Sequence, residues 1–488
     1  MNVNYFKYLF RSRRIPLIFI AVVYAGICTS LAGTGSAEYG FSNAMALNTG
    51  IAMALTFIVP PILFGFIHSR KNSDKQLALP ISRKELLITS LVAGVLYISL
   101  CWLVTGILVR MAVPFNEIVI FDLKTILGLL YGILMITEMM IINSLLFLLA
   151  NNMFDGVVVM VGYTLLPLLI NGVIGMFGLC MVAGGPSISD LLELGNYISP
   201  LMMNFTNLSS FFDPNNFSMT PFYFILPVVY AVVSGIALKK EFIERPSERA
   251  EQLSDEPFAY PLLIRLYALC SLQMLTFSSF AYADWSIVGY LAILLAYVIA
   301  TFVYRRAIVF HPSIILQYAV GVVLTVGIAA AAWYSHGFGM AENYTLGDNG
   351  YIVYNYYVYA DADDLGSGDI NDGDSVDVSF NLNIPVDRIA DCKQVVEIVE
   401  DYRKHAIADF YDRSEDYDVI GTLSVYNEFP LHDKRRETEN GFYNYTTRPM
   451  SVKDLCEISK YTKVTVSVYE DNDYKEYSLD EYIAERSE

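Results

Sequence analysis

Nine stretches of this chain are long and apolar enough to cross a bilayer, and that repetition constrains the fold more than any other feature. A helix needs about 20 predominantly apolar residues to span the hydrocarbon core. The runs fall at 15–32, 45–67, 86–109, 126–150, 156–183, 221–238, 266–283, 286–304 and 314–334. They predict an α-helical polytopic membrane protein of about nine transmembrane helices, with the lipid bilayer as its solvent. The 266–304 region has two readings. Either Asp284 and the Tyr282–Trp285 pair make a tight aromatic turn between two helices, or one bent helix fills the region. The second reading leaves eight spans and moves the C-terminal tail to the other side.

Charge assigns the sides. The 488 residues are 55% hydrophobic with a formal net charge of −18, but the charge is unevenly placed. Residues 335–488 hold 14 Lys and Arg against 33 Asp and Glu, whereas residues 1–334 hold 18 against 17. The acidic tail reads as a solvated, self-repelling surface and argues against nucleic acid or anionic lipid as its partner, because both would repel it. In the membrane part, basic residues collect on alternate segments: Lys7 to Arg14, Arg70 to Lys84, Lys239 to Arg265, and Arg305–Arg306. The intervening short segments hold only Arg110 and Lys124, both at span ends. The positive-inside rule then places the N-terminus and the 69–84 segment in the cytoplasm, and the tail outside. A signal-peptide reading of the N-terminus, with "SLAG" at 30–33 as a cleavage mimic, loses to a retained helix because so many spans follow. Before it, Phe6, Leu9 and Phe10 alternate with Lys7, Arg11, Arg13 and Arg14. That pattern fits an interfacial helix or simply a basic flank.

Intramembrane charge is the best pointer to function in such a chain. Glu138 is the only acidic residue well inside a span, with Asn143 further along the same run and Asn171 in the next. These three form the candidate intramembrane polar site. For Glu138 the expectation is a packing role, hydrogen-bonded across the helix bundle, with substrate contact as the alternative. A proton- or sodium-coupled transporter needs more ionisable groups near the midplane. Gly128 and Gly132 form a GxxxG, and Pro60–Pro61 predict a kink late in the second run.

Much chemistry is absent. No G-x-x-x-x-G-K-[ST] phosphate loop, HExxH or GxSxG occurs, so no catalytic site, metal or cofactor is expected. "GDINDGDSVD" at 368–377 is one residue short of a calcium loop and lacks its closing Glu, and reads as an acidic turn. Cys28, Cys101, Cys180 and Cys270 read as small buried hydrophobes. Cys392 and Cys456 are either two thiols or, outside the cell, a disulfide.

The tail alternates with period two at 351–360 and 375–384, reads as an amphipathic helix at 390–411, and returns to strands at 419–427 and 463–469. A short helix is expected at 451–460. Together these predict a small extracytoplasmic α/β domain that senses a ligand, meets the cell wall or holds two subunits together.

Between the second and third runs stands "SRKNSDKQLALPISRKELLITS", with Pro80 ending one turn and Ser82 placed to cap a helix that carries Glu85 in its first turn. This basic segment, and "LPISRKEL" in particular, resembles the permease subunits of bacterial type-II ABC exporters, in the Gram-positive branch with an appended extracytoplasmic C-terminal domain. The resemblance covers about residues 1–265, including the second polar loop "ERPSERAEQLSDEPF". It implies a six-helix permease core at 1–265 with a coupling loop at 69–84. It also implies a phosphate-loop ATPase subunit in trans and a second permease subunit, in a homo- or heterodimer. Arg70, Leu77, Leu79, Pro80, Ile81, Ser82, Arg83 and Lys84 are the residues it assigns to ATPase coupling. ATP hydrolysis would lie in the separate subunit, so the chain itself is no enzyme. The three further spans at 266–334 and the domain at 335–488 depart from the six-span pattern, and no substrate is implied. A membrane-integrated sensor or scaffold is the alternative function, and a secondary transporter ranks third.

Overall fold

The computed structural model describes residues 2–12, 14–32, 37–112, 123–185, 197–212, 222–252, 260–308, 311–341, 351–361, 375–385, 389, 392–413, 421–428, 443–447, 449–470 and 473–485. The near-calcium loop at 368–374, Arg13, and residues 253–259 of the second polar loop lie outside these.

The apolar runs fold as helices, with shorter helices before and between them. In chain order the first seven are α1 (Val3–Ser12), α2 (Arg14–Ala32), α3 (Ala37–Phe64), α4 (Arg70–Leu77), α5 (Arg83–Ala112), α6 (Leu123–Leu148) and α7 (Met153–Met181). There follow α8 (Pro200–Phe212), α9 (Phe222–Glu244), α10 (Tyr260–Tyr282), α11 (Ile287–Arg305) and α12 (Pro312–Tyr334). Among the described residues seven helices are long and apolar enough to cross a membrane, or up to eight if the bent pair α1–α2 counts as one span. The other two sequence runs, 15–32 and 221–238, are helical as α2 and α9. The 266–304 question resolves as two helices, α10 and α11, separated by Ala283–Ser286, where Ala283 takes a left-handed φ of 54°. Pro60 and Pro61 lie inside α3, which tightens into a 3-10 turn at Gly65–His68 within a turn of them.

The chain divides into two compact units. The first comprises Met1–Asn171, Glu193–Cys270 and Ile293–Ile314. Its core gathers Tyr24, Met45, Ile98, Trp102, Tyr131, Met135 and Phe147, all essentially without solvent exposure. The GxxxG glycines of α6 make room for aromatic rings. A Cβ on Gly132 would lie 2.5 Å from Trp102, and one on Gly128 would lie 2.9 Å from Phe211 and Phe212 of α8.

The second unit comprises Gly172–Leu192, Ser271–Ala292 and Ile315–Glu488. Its C-terminal part is a six-stranded antiparallel sheet in the order β4-β3-β1-β2-β5-β6, built as three strand pairs each followed by a helix. The strands are β1 (Tyr351–Asp361), β2 (Ser375–Pro385), β3 (Gly421–Glu428), β4 (Tyr443–Thr447), β5 (Val464–Glu470) and β6 (Asp473–Ser478). The helices are α13 (Lys393–Asp412), α14 (Val452–Ser459) and α15 (Leu479–Glu485). Period-two alternation sends Ile352, Tyr354, Tyr356 and Val358 of β1 and Val378, Phe380, Leu382 and Ile384 of β2 into one buried layer. The register pairs Tyr356 with Phe380, whose rings stack 5.4 Å apart. Val395, Val399, Tyr402 and Ala406 line the buried stripe of α13 at helical spacing. Ser451 caps α14 by accepting from the Asp454 N–H.

Candidate functional site

The polar segment between α3 and α5 is held at both ends by arginines that reach distant main chain. Arg70 opens α4 and donates through Nε to the Ala250 carbonyl at 3.1 Å. Arg83 opens α5 and donates through Nη1 to the carbonyls of Ile243, at 2.9 Å, and Arg245, at 2.8 Å. Those carbonyls lie at the C-terminal end of α9, where unpaired acceptors and the helix dipole favour a cation. Arg245 itself is buried and donates to the carbonyls of Leu148 and Ala150 and to Asn151 Oδ1, in the link between α6 and α7. Beside it His68 is 4% exposed, its ring edge-on to Phe147 at 4.4 Å. The α5 start is locally encoded. Glu85 N–H donates to Ser82 Oγ at 3.2 Å while Ser82 N–H donates to Glu85 at 3.3 Å, a reciprocal capping box.

The apolar residues of the segment divide. Leu77 and Ile81 are half-buried and pack on the core of their own chain. Leu79 is 37% exposed, and Pro80, Ser82 and Lys84 are exposed with it. Helix α1 braces the segment, with Tyr5 Oη donating to Gln76 Oε1 at 3.2 Å and Asn2 N–H donating to Thr89 Oγ1 at 3.0 Å.

Glu138 has no solvent exposure and faces α8, a helix the hydrophobic runs do not reveal. Asn204 of α8 donates to Glu138 Oε2 at 2.7 Å. Tyr131 donates to Asn204 Oδ1 at 3.1 Å, and Asn207 donates to Tyr131 Oη at 2.9 Å. Glu138 Oε1 has no hydrogen-bond partner among the described residues. Asn143 belongs to a different network, donating to the Thr56 carbonyl at 3.1 Å and its hydroxyl at 3.0 Å while accepting from Thr164 at 3.0 Å. Asn171 is buried, and its Oδ1 has no hydrogen-bond partner among the described residues. No hydrogen bond found among the described residues joins Glu138, Asn143 and Asn171 to one another. Asn204 and Asn207, three residues apart in "NFTN", carry the only sequence signal for the α8 side of this network.

Within the second unit, the end of α13 seizes main chain at the ends of α7 and α10. Tyr411 Oη donates to the Met181 carbonyl at 2.8 Å and accepts from Ala183 N–H at 3.4 Å. Arg413 donates to the Phe280 carbonyl at 2.6 Å and lies 5.0 Å from the centre of the Trp333 ring. His336 stacks on Tyr411 at 4.4 Å, and Phe410 lies 5.6 Å from Trp333. Gly184, at φ +67°, abuts Tyr445, and a Cβ there would lie 2.4 Å from its ring. Nearby, burial works against the charge of Arg403, yet Glu400 at 2.8 Å and the Tyr445 hydroxyl together more than offset it and raise its pKa above the ordinary value.

Among the described residues no three His, Cys, Asp or Glu side chains group as a metal site. All six cysteines are thiols, including Cys392 and Cys456, which settles that pair as unbridged in this structure. The chain is thus mostly helical, with seven helices among the described residues long and apolar enough to cross a membrane and a small C-terminal sheet region, compatible with a polytopic membrane protein. Comparison with protein families, with curated proteins and with solved structures finds no match for this chain.

Proposed function

We propose that this chain is the transmembrane subunit of an ATP-driven exporter. It works beside a second permease subunit and takes its energy from a separate phosphate-loop ATPase. In this reading nine helices cross the cell membrane, the N-terminus and the 69–84 segment are cytoplasmic, and the sheet domain is extracellular. The observation that carries it is the polar segment: Arg70 and Arg83 fix its ends to main-chain carbonyls, Leu77 and Ile81 root it in the core, and Leu79, Pro80 and Lys84 remain exposed. A segment serving only the positive-inside rule needs net charge and no fixed shape. A docking element needs an exposed apolar anchor on a rigid base, because such anchors carry most of an interface's binding energy.

The test is Leu79→Ser in the full chain, expressed with the ATPase encoded beside it. Leu79 is exposed, so the variant keeps folding, charge and insertion. Loss of ATPase co-purification, with ATP hydrolysis uncoupled from transport, is the expected result. If the variant still retains the ATPase and still transports, the exporter reading loses its support. The second reading, a membrane-integrated sensor whose C-terminal domain reads a ligand, draws on the Tyr411–Arg413 junction with the helix ends. A chain with no phosphate-loop ATPase encoded near it favours that reading.

A further inference from the structure

A cavity of about 1000 Å³ opens between α1, the end of α3 and α4. One wall is the apolar end of a spanning helix, Pro61, Ile62 and Phe66, continued by Met153, which is 51% exposed. Polar groups line it from α1 and its lead-in, Asn2 and Asn4, and from α4, Asn72, Lys75 and Gln76, with Leu79, Pro80 and Ile81 following them. Among the described residues no carboxylate lines it. Tyr5 and Tyr8 also line it, and Tyr8 is 56% exposed. The same two helices expose Lys7, Arg11 and Lys71.

An occupant of this cavity must be apolar on one side and a hydrogen-bond acceptor carrying negative charge on the other. The tyrosines sit where aromatic residues collect at a membrane–water interface. Basic residues near that interface each attract an anionic headgroup by about 1 kcal/mol, or roughly fivefold in occupancy. A soluble anion satisfies the polar groups alone and leaves the Pro61–Ile62–Met153 wall against water. We infer that the cavity is a binding site for an anionic glycerophospholipid, its phosphate held by Lys75 and the surrounding amides and its acyl chains along the α3 wall. The lipid then forms part of the floor beneath α4. This inference requires the membrane reading but not the ATPase; Leu79 and Pro80 border both sites, so the test is made on the protein without ATPase and with Lys75→Gln, which leaves Leu79 in place.

Full-length protein in nanodiscs is photolabelled with a diazirine-bearing phosphatidylglycerol or with its phosphatidylcholine counterpart, and the labelled peptides are mapped. Phosphatidylglycerol should label Tyr5–Tyr8 and Asn72–Ile81 well above phosphatidylcholine. Lys75→Gln should cut that labelling about fivefold, while Lys240→Gln, a basic residue outside the cavity, should leave it unchanged. Excess inorganic phosphate should not displace the lipid. Equal labelling by both lipids, indifference to Lys75→Gln, or displacement by phosphate overturns the proposal. So does cross-linking of these residues to a partner protein, with no lipid, in complexes taken from the native membrane.

Discussion

Glu138 is a buried carboxyl whose surroundings can be read as packing or as function. Its only partner among the described residues is the Asn204 amide, so the pair ties the short helix α8 to α6. Replacing the carboxyl with a carboxamide keeps an acceptor for Asn204 at nearly the same volume. Glu138→Gln is therefore expected to keep folding and thermal stability close to that of the parent and, on the exporter proposal, most transport. Glu138→Ala strands the Asn204 donor in an apolar surrounding and leaves a void, a loss of about 1–3 kcal/mol from the unsatisfied donor alone. A thermal melt of both variants in detergent checks this. A carboxamide variant that melts normally but fails to transport would reassign Glu138 to substrate or proton handling. Asn143 makes the same point from the other side. Thr56 and Thr164 occupy both its amide donor and its carbonyl, so it clamps α3, α6 and α7 rather than waiting for a ligand.

The segment from Arg70 to Lys84 owes its shape to two sources, and only one is written locally. Ser82 and Glu85 form their capping box three residues apart, which is why the α5 start was legible in "SRKEL". Arg70 and Arg83 instead bond to main-chain carbonyls 180 and 160 residues away, and a carbonyl leaves no mark on a side-chain pattern. The long helices were legible for the same reason the capping box was: 20-residue apolar runs report themselves. Helix α8, with 13 residues, falls below any spanning length and was missed. Strands β4 and β6 were missed because edge strands are short and tolerate polar sequence, as "YNYTT" and "DYKEYS" do. If the arginines set the shape of the segment, Arg83→Gln should loosen it without unfolding the bundle, since each lost charged hydrogen bond is worth about 1.5–3 kcal/mol. Hydrogen exchange should then rise across 69–84 and 243–250 together and stay unchanged in α6. Faster exchange confined to one of those two segments would mean the bonds do not couple them.

In the second unit the junction bears on what the C-terminal domain can do. A domain hung on a flexible linker samples orientations freely and reports only its own ligand. Here α13 ends on Met181 and Phe280 main chain, while Val182, Ala183 and Ala341 enter the same buried cluster as the sheet residues Tyr354 and Tyr445. Helix ends and sheet thus share one core, and a ligand on the sheet side can bias the helix ends through these contacts. Tyr411 and Arg413 belong to the polar part of that link, beside Arg403, which donates to the Ala341 carbonyl at 3.3 Å. Tyr411→Phe removes the hydrogen bond to Met181 but keeps the ring that stacks on His336, for a loss of about 1 kcal/mol. Arg413→Ala removes the bond to Phe280 and the Trp333 contact, the latter worth about 0.5–1 kcal/mol at an exposed site. The double variant should leave sheet protection intact, because Val353, Val399 and Val466 remain fully buried away from the change. Exchange at 181–185 and 333–341 should accelerate by more than tenfold, since the contacts removed sum to more than the roughly 1.4 kcal/mol of local opening energy that corresponds to a factor of ten. Sheet and helix ends losing protection together would mean that the domain cannot fold without the junction, and the idea of a separable domain held by a few contacts would fall.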